Sequence, residues 1–135
     1  MKLIHSAIRT KDLQKSVDFY TNLFGFTVRE KRRVETHNVT LVFLRSKETG
    51  SEIEIIAEDN PEKAVFKENG TQNSGCGFAH FAFISEDIDS DAALLKQKGA
   101  SFSREPFYSL DKSMKIAFLN DPDGIMIELI QFLNK

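Results

Sequence analysis

The sequence contains an internal repeat, in which the first half of the chain recurs about 75 positions later. At an offset of 75, Asp12 corresponds to Asp87, and at an offset of 74 the segment IEII at 53–56 corresponds to IELI at 127–130. Further matches at the offset of 75 are Leu13 with Ile88, Val17 with Ala92, Tyr20 with Leu95 and Phe43-Leu44 with Phe118-Leu119. An ordered series of this kind is typical of a duplicated structural unit, so the two halves are expected to fold alike.

Hydrophobic periodicity predicts the same order of elements in each half. Short apolar runs bounded by turn residues indicate strands, and apolar residues three or four positions apart indicate helices. In the first half they predict a strand at about 2–9, a helix at about 12–24 and strands at about 26–34, 38–46 and 51–58. In the second half they predict a strand at about 77–85, a helix at about 88–98 and strands at about 100–107, 113–119 and 125–132. The predicted fold class is therefore α+β, with two βαβββ modules whose eight strands form curved mixed sheets.

Length and composition fit one globular domain. The chain has 135 residues, of which 41% are hydrophobic and 28% are charged, an ordinary balance for a folded domain. We expect a single domain over 1–135, with module one at about 1–58, a polar connector at about 59–76 and module two at about 77–135. Cys76 is the only cysteine, which excludes a disulfide framework and a metal site built from thiolates.

Charge argues against a nucleic acid or a membrane surface as partner. The formal net charge is −2, and the one basic block is REKRR at 29–33, which we interpret as a solvated strand end. The longest apolar runs have the length of strands, so neither a signal peptide nor a membrane-spanning helix is expected. The prediction is a cytoplasmic protein that acts on a small molecule.

Four ionisable residues interrupt apolar strands at equivalent places in the two halves. His5 corresponds to His80 at the offset of 75, and Glu54 corresponds to Glu128 at the offset of 74. A lone histidine in such a strand is more often a core residue that is hydrogen-bonded to a backbone carbonyl. Four buried ionisable groups in register need another explanation, because burying each one costs free energy. Two imidazoles and two carboxylates are suitable ligands for a divalent transition metal.

This ligand set indicates a type of chemistry. Two nitrogen and two oxygen donors leave two positions open on an octahedral ion, which is room for two waters or a substrate that binds through two adjacent oxygens. Such an ion favours proton abstraction next to a carbonyl, because it stabilises the enediolate that forms. A closed structural zinc site remains an alternative, although such sites are usually rich in thiolates.

Three segments together resemble the glyoxalase I family of the vicinal oxygen chelate superfamily: MKLIHSAIRTKDLQKSVDFYTNLFGF, GFAHFAF and AFLNDPDGIMIELI. The resemblance covers essentially the whole chain. It implies paired βαβββ modules and the metal ligands His5, Glu54, His80 and Glu128. The implied reaction is the isomerisation of a hemithioacetal of methylglyoxal and a thiol, usually glutathione, to an S-lactoyl thioester. It also implies a homodimer with sites between chains, and nickel or cobalt rather than zinc as the ion.

Further expectations concern single residues, and the roles of Glu128, Glu54 and Arg9 are those that the resemblance implies. Glu128 is expected to be the general base for the usual enantiomer of the substrate. Glu54 is expected to act on the other enantiomer or to stay bound to the metal. Arg9 lies on the strand face of His5 and is expected to bind a carboxylate of the thiol, with a solvated strand-end arginine as the alternative. Met126 shares a face with Glu128, where it lines the site or is an ordinary core residue. Lys112 is expected either to contact an anion or to be an ordinary surface residue.

Some features depart from the family pattern and keep other functions open. Close relatives that use glutathione often have asparagine where this chain has Glu58, whose charge would repel a glutathione carboxylate if it faced the site. The segment EPFYSLDKSMK replaces a glycine-rich loop. The alternatives are a thiol transferase acting on an epoxide antibiotic, an epimerase acting beside a thioester, and a non-catalytic drug-binding dimer. The carboxylate of Glu54 argues against the transferase, which needs two histidines and one glutamate.

Overall fold

A computed structural model describes residues 1–61, 65–68, 71–74, 76–120, 122 and 124–133, with the backbone alone for 65–68 and 71–74. These residues form ten strands, two α-helices and a short 3-10 turn at Glu35–His37. The strands are β1 (Lys2–Thr10), β2 (Thr27–Val34), β3 (Val39–Arg45), β4 (Glu52–Glu58), β5 (Val65–Glu68), β6 (Thr71–Ser74), β7 (Gly77–Ile84), β8 (Phe102–Tyr108), β9 (Met114–Asn120) and β10 (Met126–Phe132). The helices are α1 (Leu13–Phe24) and α2 (Ile88–Gln97). The chain divides into two compact units, one of His5–Ala79 and one of Met1–Ile4 with His80–Lys135.

Each half of the chain has the same strand topology. In the first half the strand order is β2-β3-β4-β1, with antiparallel pairs β2/β3 and β3/β4 and a parallel pair β4/β1. In the second half the order is β8-β9-β10-β7, with antiparallel pairs β8/β9 and β9/β10 and a parallel pair β10/β7. The predicted α+β class, with two βαβββ repeats and eight strands in mixed sheet, is confirmed.

The helix ends follow the predicted repeat. Asp12 caps α1 by accepting a hydrogen bond from the backbone N–H of Lys15, and Asp87 caps α2 by accepting one from Ser90. A carboxylate at this position satisfies one of the N–H groups that the first turn leaves unpaired. Gly25 ends α1 with a φ of 69°, a left-handed conformation that glycine adopts without steric cost. The equivalent caps show that the offset of 75 is a structural repeat.

A partly buried side-chain hydrogen bond at the start of each helix is also repeated. The Thr10 and Ser16 hydroxyl oxygens lie 2.6 Å apart in the first half. At the offset of 75, the hydroxyl of Ser85 donates to a carboxylate oxygen of Asp91 at 2.5 Å. Each contact joins the end of the first strand to the helix, so both helices are anchored at the same point.

Each helix packs on one face of its own strands. In the first half, buried Val42, Leu44 and Ile55 lie against the helix residues Leu13, Val17 and Tyr20. In the second half, the equivalent cluster is formed by Ile88, Ala117 and Leu129, with Phe83, Leu95, Phe102, Leu119 and Ile127 packed around it. Burying a side chain of this size stabilises a fold by about 1.5–3 kcal/mol. Because strand side chains alternate between faces, the residues between these apolar positions point away from the helix.

The connector contains a feature that the sequence analysis missed. Strands β5 and β6 pair antiparallel, with Val65 opposite Ser74 and Glu68 opposite Thr71. The sequence between them is Asn69-Gly70, a dipeptide typical of two-residue hairpin turns. That dipeptide was the available sequence signal for a hairpin. Residues 69–70 themselves lie outside the described residues.

Two further features concern the helices and the single cysteine. In the parts of the chain that the structure describes, neither helix has the length and apolar character needed to cross a bilayer. Cys76 is an exposed, free cysteine.

Candidate metal centre

Strands β1 and β4 bring His5 and Glu54 together. In the parallel register of these strands Ala7 lies opposite Glu54 and His5 lies opposite Glu52, so His5 reaches Glu54 along a diagonal. The Nε2 atom of His5 lies 3.2 Å from the Oε2 atom of Glu54, and both side chains are more than nine-tenths buried. Two polar side chains are therefore held together in an apolar interior, as the sequence predicts.

Strands β7 and β10 repeat this arrangement with His80 and Glu128. The register places Met126 opposite His80 and Glu128 opposite Ala82, so the contact is again diagonal. The Nε2 atom of His80 lies 3.2 Å from the Oε2 atom of Glu128, with 8% and 14% of the side chains exposed. The internal repeat thus extends to the atoms of the candidate ligands.

In each half of the chain, a buried imidazole nitrogen faces a carboxylate oxygen of a glutamate on the neighbouring strand. Two donors that share one cation at about 2.1 Å are roughly 3.0–3.4 Å apart, for octahedral and tetrahedral angles respectively. The 3.2 Å spacing in each pair falls in this range. A simple histidine–glutamate ion pair has the same spacing, but it does not explain why equivalent pairs are buried in both halves. The residues present fit a divalent metal ion.

An aromatic side chain from β3 contacts the first histidine. The rings of His5 and Phe43 meet edge to face, with centroids 5.8 Å apart and an interplanar angle of 71°. On β2, the guanidinium carbon of Arg29 lies 5.0 Å from the centroid of Phe43, and that of Arg32 lies 5.8 Å from it. These contacts restrict the orientation of the imidazole, which a metal ligand needs. The sequence analysis did not predict the contact with Phe43.

The two arginines beside Phe43 belong to an ion-pair network at the edge of the sheet. Burial lowers the pKa of Arg29, but hydrogen bonding and attraction to Glu52 and Glu30 outweigh it, so the pKa lies above its ordinary value. A hydrogen bond from Arg32 lowers the pKa of Glu30 below its ordinary value, against the smaller effect of burial. Both effects keep the network charged at neutral pH. Four of the five REKRR residues, Arg29, Glu30, Arg32 and Arg33, form ion pairs rather than being fully solvated.

Arg9 and Glu58 form a second charged pair on the same two strands. The Nε atom of Arg9 lies 3.7 Å from the Oε1 atom of Glu58, and 7% and 9% of the side chains are exposed. The alternative of a solvated strand-end arginine is therefore wrong. Both residues stand out in the sequence, but their contact was not predicted from it.

The two remaining predicted substrate contacts lie in different settings. Met126 is partly buried on β10, directly opposite His80 in the strand register. Lys112 is exposed in the turn between β8 and β9, with a φ of 56°, and its backbone N–H donates to the carbonyl of Ser109 at 2.9 Å. The structure thus places Met126 next to a candidate ligand in the sheet and Lys112 at the surface.

Comparisons with known proteins identify the family of the chain. The model of the glyoxalase/bleomycin resistance protein/dioxygenase superfamily matches residues 2–129. A probable lactoylglutathione lyase of Synechocystis sp. is 35% identical over 137 residues, which cover 100% of this chain and 98% of that protein. A lactoylglutathione lyase of Schizosaccharomyces pombe is 36% identical over 147 residues. The match covers 96% of this chain and 47% of that protein.

A solved structure shares the fold. A Streptomyces coelicolor methylmalonyl-CoA epimerase in complex with 2-nitronate-propionyl-CoA superposes with a TM-score of 0.70 and 27% identity, and the match covers 99% of this chain and 96% of that one. The resemblance inferred from the sequence is confirmed. Because the family model covers nearly the whole chain and a full-length relative is 35% identical to it, the chain belongs to the glyoxalase/bleomycin resistance protein/dioxygenase superfamily.

Proposed function

We propose that the protein is a metal-dependent isomerase that converts the hemithioacetal of methylglyoxal and a thiol, with glutathione as the co-substrate, into an S-lactoyl thioester. The observation that carries the proposal is the pair of buried histidine–glutamate contacts at 3.2 Å in equivalent places of the two modules. Relatives named lactoylglutathione lyase at 35% and 36% identity support it. A drug-binding protein without catalysis would not need four such side chains.

His5, Glu54, His80 and Glu128 would hold the ion, and we propose nickel or cobalt rather than zinc. A divalent cation bound there supplies Lewis-acid stabilisation of negative charge on two adjacent substrate oxygens. The donor set agrees with this role, because two imidazoles and two carboxylates are borderline-to-hard ligands that leave coordination positions open. Phe43, packed against His5, holds the imidazole in the orientation that ligation needs.

The proton transfer is assigned to a glutamate of this chain. The proton leaves the carbon that carries sulfur and returns to the neighbouring carbon. One base can therefore serve both steps, and the isomerisation needs no further reactant. A carboxylate whose lone pairs are all engaged is a poor base, so the glutamate that takes the proton would need a free lone pair. We assign this role to Glu128, which is the more exposed of the two glutamates. Glu54 would act as the base for the opposite enantiomer of the substrate, or it would remain a ligand of the ion.

Three further residues are proposed to contact the substrate. Met126 lies opposite His80 in the strand register and would form an apolar wall beside the reacting carbons. Arg9, on the face that carries His5, would bind an anionic group of the thiol. Lys112, which is exposed in its turn, would contact an anion at the rim of the site.

A second candidate function is the epimerisation of a carbon beside a thioester. It is favoured by the similarity to methylmalonyl-CoA epimerase at 27% identity across nearly the whole chain. Both reactions remove and return a proton next to a carbonyl, so the same base and ligands would serve either. The choice between them therefore depends on the substrate, and an assay separates them.

The assay uses purified protein that is stripped of metal with a chelator and reloaded with nickel, cobalt or zinc. Reloading with nickel or cobalt is expected to raise the rate of hemithioacetal isomerisation at least about 100-fold over that of the stripped protein. Reloading with zinc is expected to raise this rate less. The rate is followed by the ultraviolet absorbance of the thioester. Methylmalonyl-CoA in deuterated water, with the exchange of its α-proton followed by NMR, is the matched assay for the epimerase. Turnover of methylmalonyl-CoA without turnover of the hemithioacetal would replace the first function by the second.

We also propose a cytoplasmic homodimer whose metal sites combine module one of one chain with module two of its partner, as the resemblance implies. Mixing two inactive variants tests the arrangement. A dimer of one His5→Ala chain and one His80→Ala chain would contain one site with both substitutions and one intact site. Random exchange of chains should thus restore about one quarter of the wild-type activity, because half of the dimers are mixed and half of their sites are intact. Mixed dimers seen by native mass spectrometry without restored activity would contradict sites between chains.

A further inference from the structure

Asn120 lies at the end of a row of residues that includes a candidate metal ligand. In the strand register Asn120 of β9 lies opposite Met126 of β10, which lies opposite His80 of β7. Residues directly opposite one another point to the same face of a sheet. The adjacent strand residues Leu119 and Ile127 belong to the cluster that packs against α2. Asn120 therefore points to the other face, on which His80 lies.

The side-chain oxygen of Asn120 is a buried acceptor. No donor among the described residues forms a hydrogen bond with its Oδ1 atom. The neighbouring Met126 cannot supply one, because a thioether has no hydrogen to donate. A buried acceptor without a partner destabilises the fold, whereas an apolar side chain of similar shape would avoid that cost. This position therefore points to a ligand that carries the missing donor.

The equivalent row of module one is satisfied within the protein. Asn120 corresponds to Arg45 at the offset of 75, and Met126 corresponds to Glu52 at the offset of 74. Arg45 and Glu52 also lie opposite each other, and Glu52 lies opposite His5. The Nε atom of Arg45 donates to the Oε1 atom of Glu52 at 2.8 Å. The same row is thus internally paired in module one, while in module two it keeps an unused acceptor.

We propose that Asn120 is a specificity residue that accepts a hydrogen bond from a hydroxyl group on the carbon chain of the 2-oxoaldehyde. This inference rests on the proposed function and deepens it, because it makes hydroxylated 2-oxoaldehydes the preferred substrate class. A hydroxyl group supplies the donor that the Oδ1 atom lacks. A plain alkyl chain would leave this oxygen unpaired, and a site built to pair a hydroxyl group discriminates against substrates without one.

The position of Asn120 relative to Glu128 suits this contact. Phe118 lies directly opposite Glu128, so Asn120 lies on the diagonal from Glu128 on the same face. Diagonal neighbours of this kind are about 7–8 Å apart. Glu128, as the proposed base, would lie about 3 Å from the carbon whose proton it takes. The remaining distance suits one further carbon atom that carries a hydroxyl group.

The test compares two 2-oxoaldehydes of nearly the same size on the nickel-loaded protein. Hydroxypyruvaldehyde carries a hydroxyl group where ethylglyoxal carries a methyl group, and each is supplied as its hemithioacetal with glutathione. The ratio of their kcat/KM values is expected to be at least about 10-fold lower in Asn120→Leu than in the wild type, because one hydrogen bond to the substrate is lost. Comparing this ratio between proteins cancels the intrinsic reactivity of the two aldehydes.

Stability and two further variants separate substrate recognition from a structural role. Leucine is close to asparagine in size and removes the unpaired oxygen, so the melting temperature of Asn120→Leu should be equal to that of the wild type or higher. Asn120→Ala cannot clash with its neighbours and should lower the ratio to the same extent. Asn22→Leu replaces an exposed asparagine of α1 and should keep the wild-type ratio.

The methylglyoxal hemithioacetal, assayed with the same proteins, tests the proposed function separately. Turnover of methylglyoxal together with an unchanged ratio in Asn120→Leu and Asn120→Ala would overturn this inference and leave the proposed function standing. A lower melting temperature with equal losses for hydroxypyruvaldehyde and ethylglyoxal would also overturn it, because that is the result of a structural role. Absence of turnover for all three aldehydes would overturn the inference and the proposed function together.

Discussion

Replacing Glu128 with glutamine is expected to lower kcat for the hemithioacetal by about 10² to 10⁴-fold, because a positioned general base contributes about that much to rate. Glutamine keeps the shape and an oxygen donor, so the variant should still bind some metal. KM should change little, since the lost interaction belongs to the proton transfer rather than to substrate binding. Steady-state kinetics on the nickel-loaded variant, with the metal content measured in the same sample, provide the check.

The matched control is Glu54→Gln, at the equivalent position of module one. Glu54 also contacts a histidine at 3.2 Å, so any loss that follows from disturbing a ligand pair alone should be the same in both variants. We expect the smaller loss of kcat in Glu54→Gln. Equal losses with full metal content would contradict the assignment of the base to Glu128. Unchanged activity in Glu128→Gln would show that it is not the base.

Replacing either His5 or His80 with alanine is expected to lower kcat/KM at least about 100-fold. Each substitution removes one nitrogen donor from the proposed centre, and changes that only reorient a ligand already cost 10 to 100-fold in metal affinity or activity. It also leaves a buried glutamate without its imidazole contact, so a lower melting temperature is expected. His37→Ala is the control, since His37 is exposed in the 3-10 turn and contacts the neighbouring Thr36. Wild-type activity in His5→Ala or His80→Ala would contradict the proposed ligand set.

Much of the fold could be predicted because the repeat and the periodicity carry independent information. The caps Asp12 and Asp87 and the apolar stripe of α1 mark the helix positions, and the alternation along the strands marks the buried faces. The offset between His5 and His80 then indicated equivalent places for the candidate ligands. The caps and the periodicity depend on neighbouring residues, and the repeat depends only on comparing the two halves, so all of them can be read from one sequence.

What could not be predicted depends on which strands become neighbours. The Arg9–Glu58 contact requires β1 and β4 to pair in parallel with a specific register, which periodicity does not determine. The packing of Phe43 on His5 depends on β3 lying next to β4 in the same way. The hairpin of β5 and β6 was missed for another reason, because polar residues hide its alternation and Asn69-Gly70 was its one local signal.

The central claim is that His5, Glu54, His80 and Glu128 hold one divalent ion, and a nickel titration tests it most directly. Chelator-stripped wild-type protein is titrated in a calorimeter beside the His5→Ala, His80→Ala and His37→Ala variants. The account predicts about one nickel ion per chain for the wild type and for His37→Ala, with affinity at least about 100-fold weaker in the other two. Nickel binding that is absent from the wild-type protein, or unchanged in His5→Ala and His80→Ala, would contradict it.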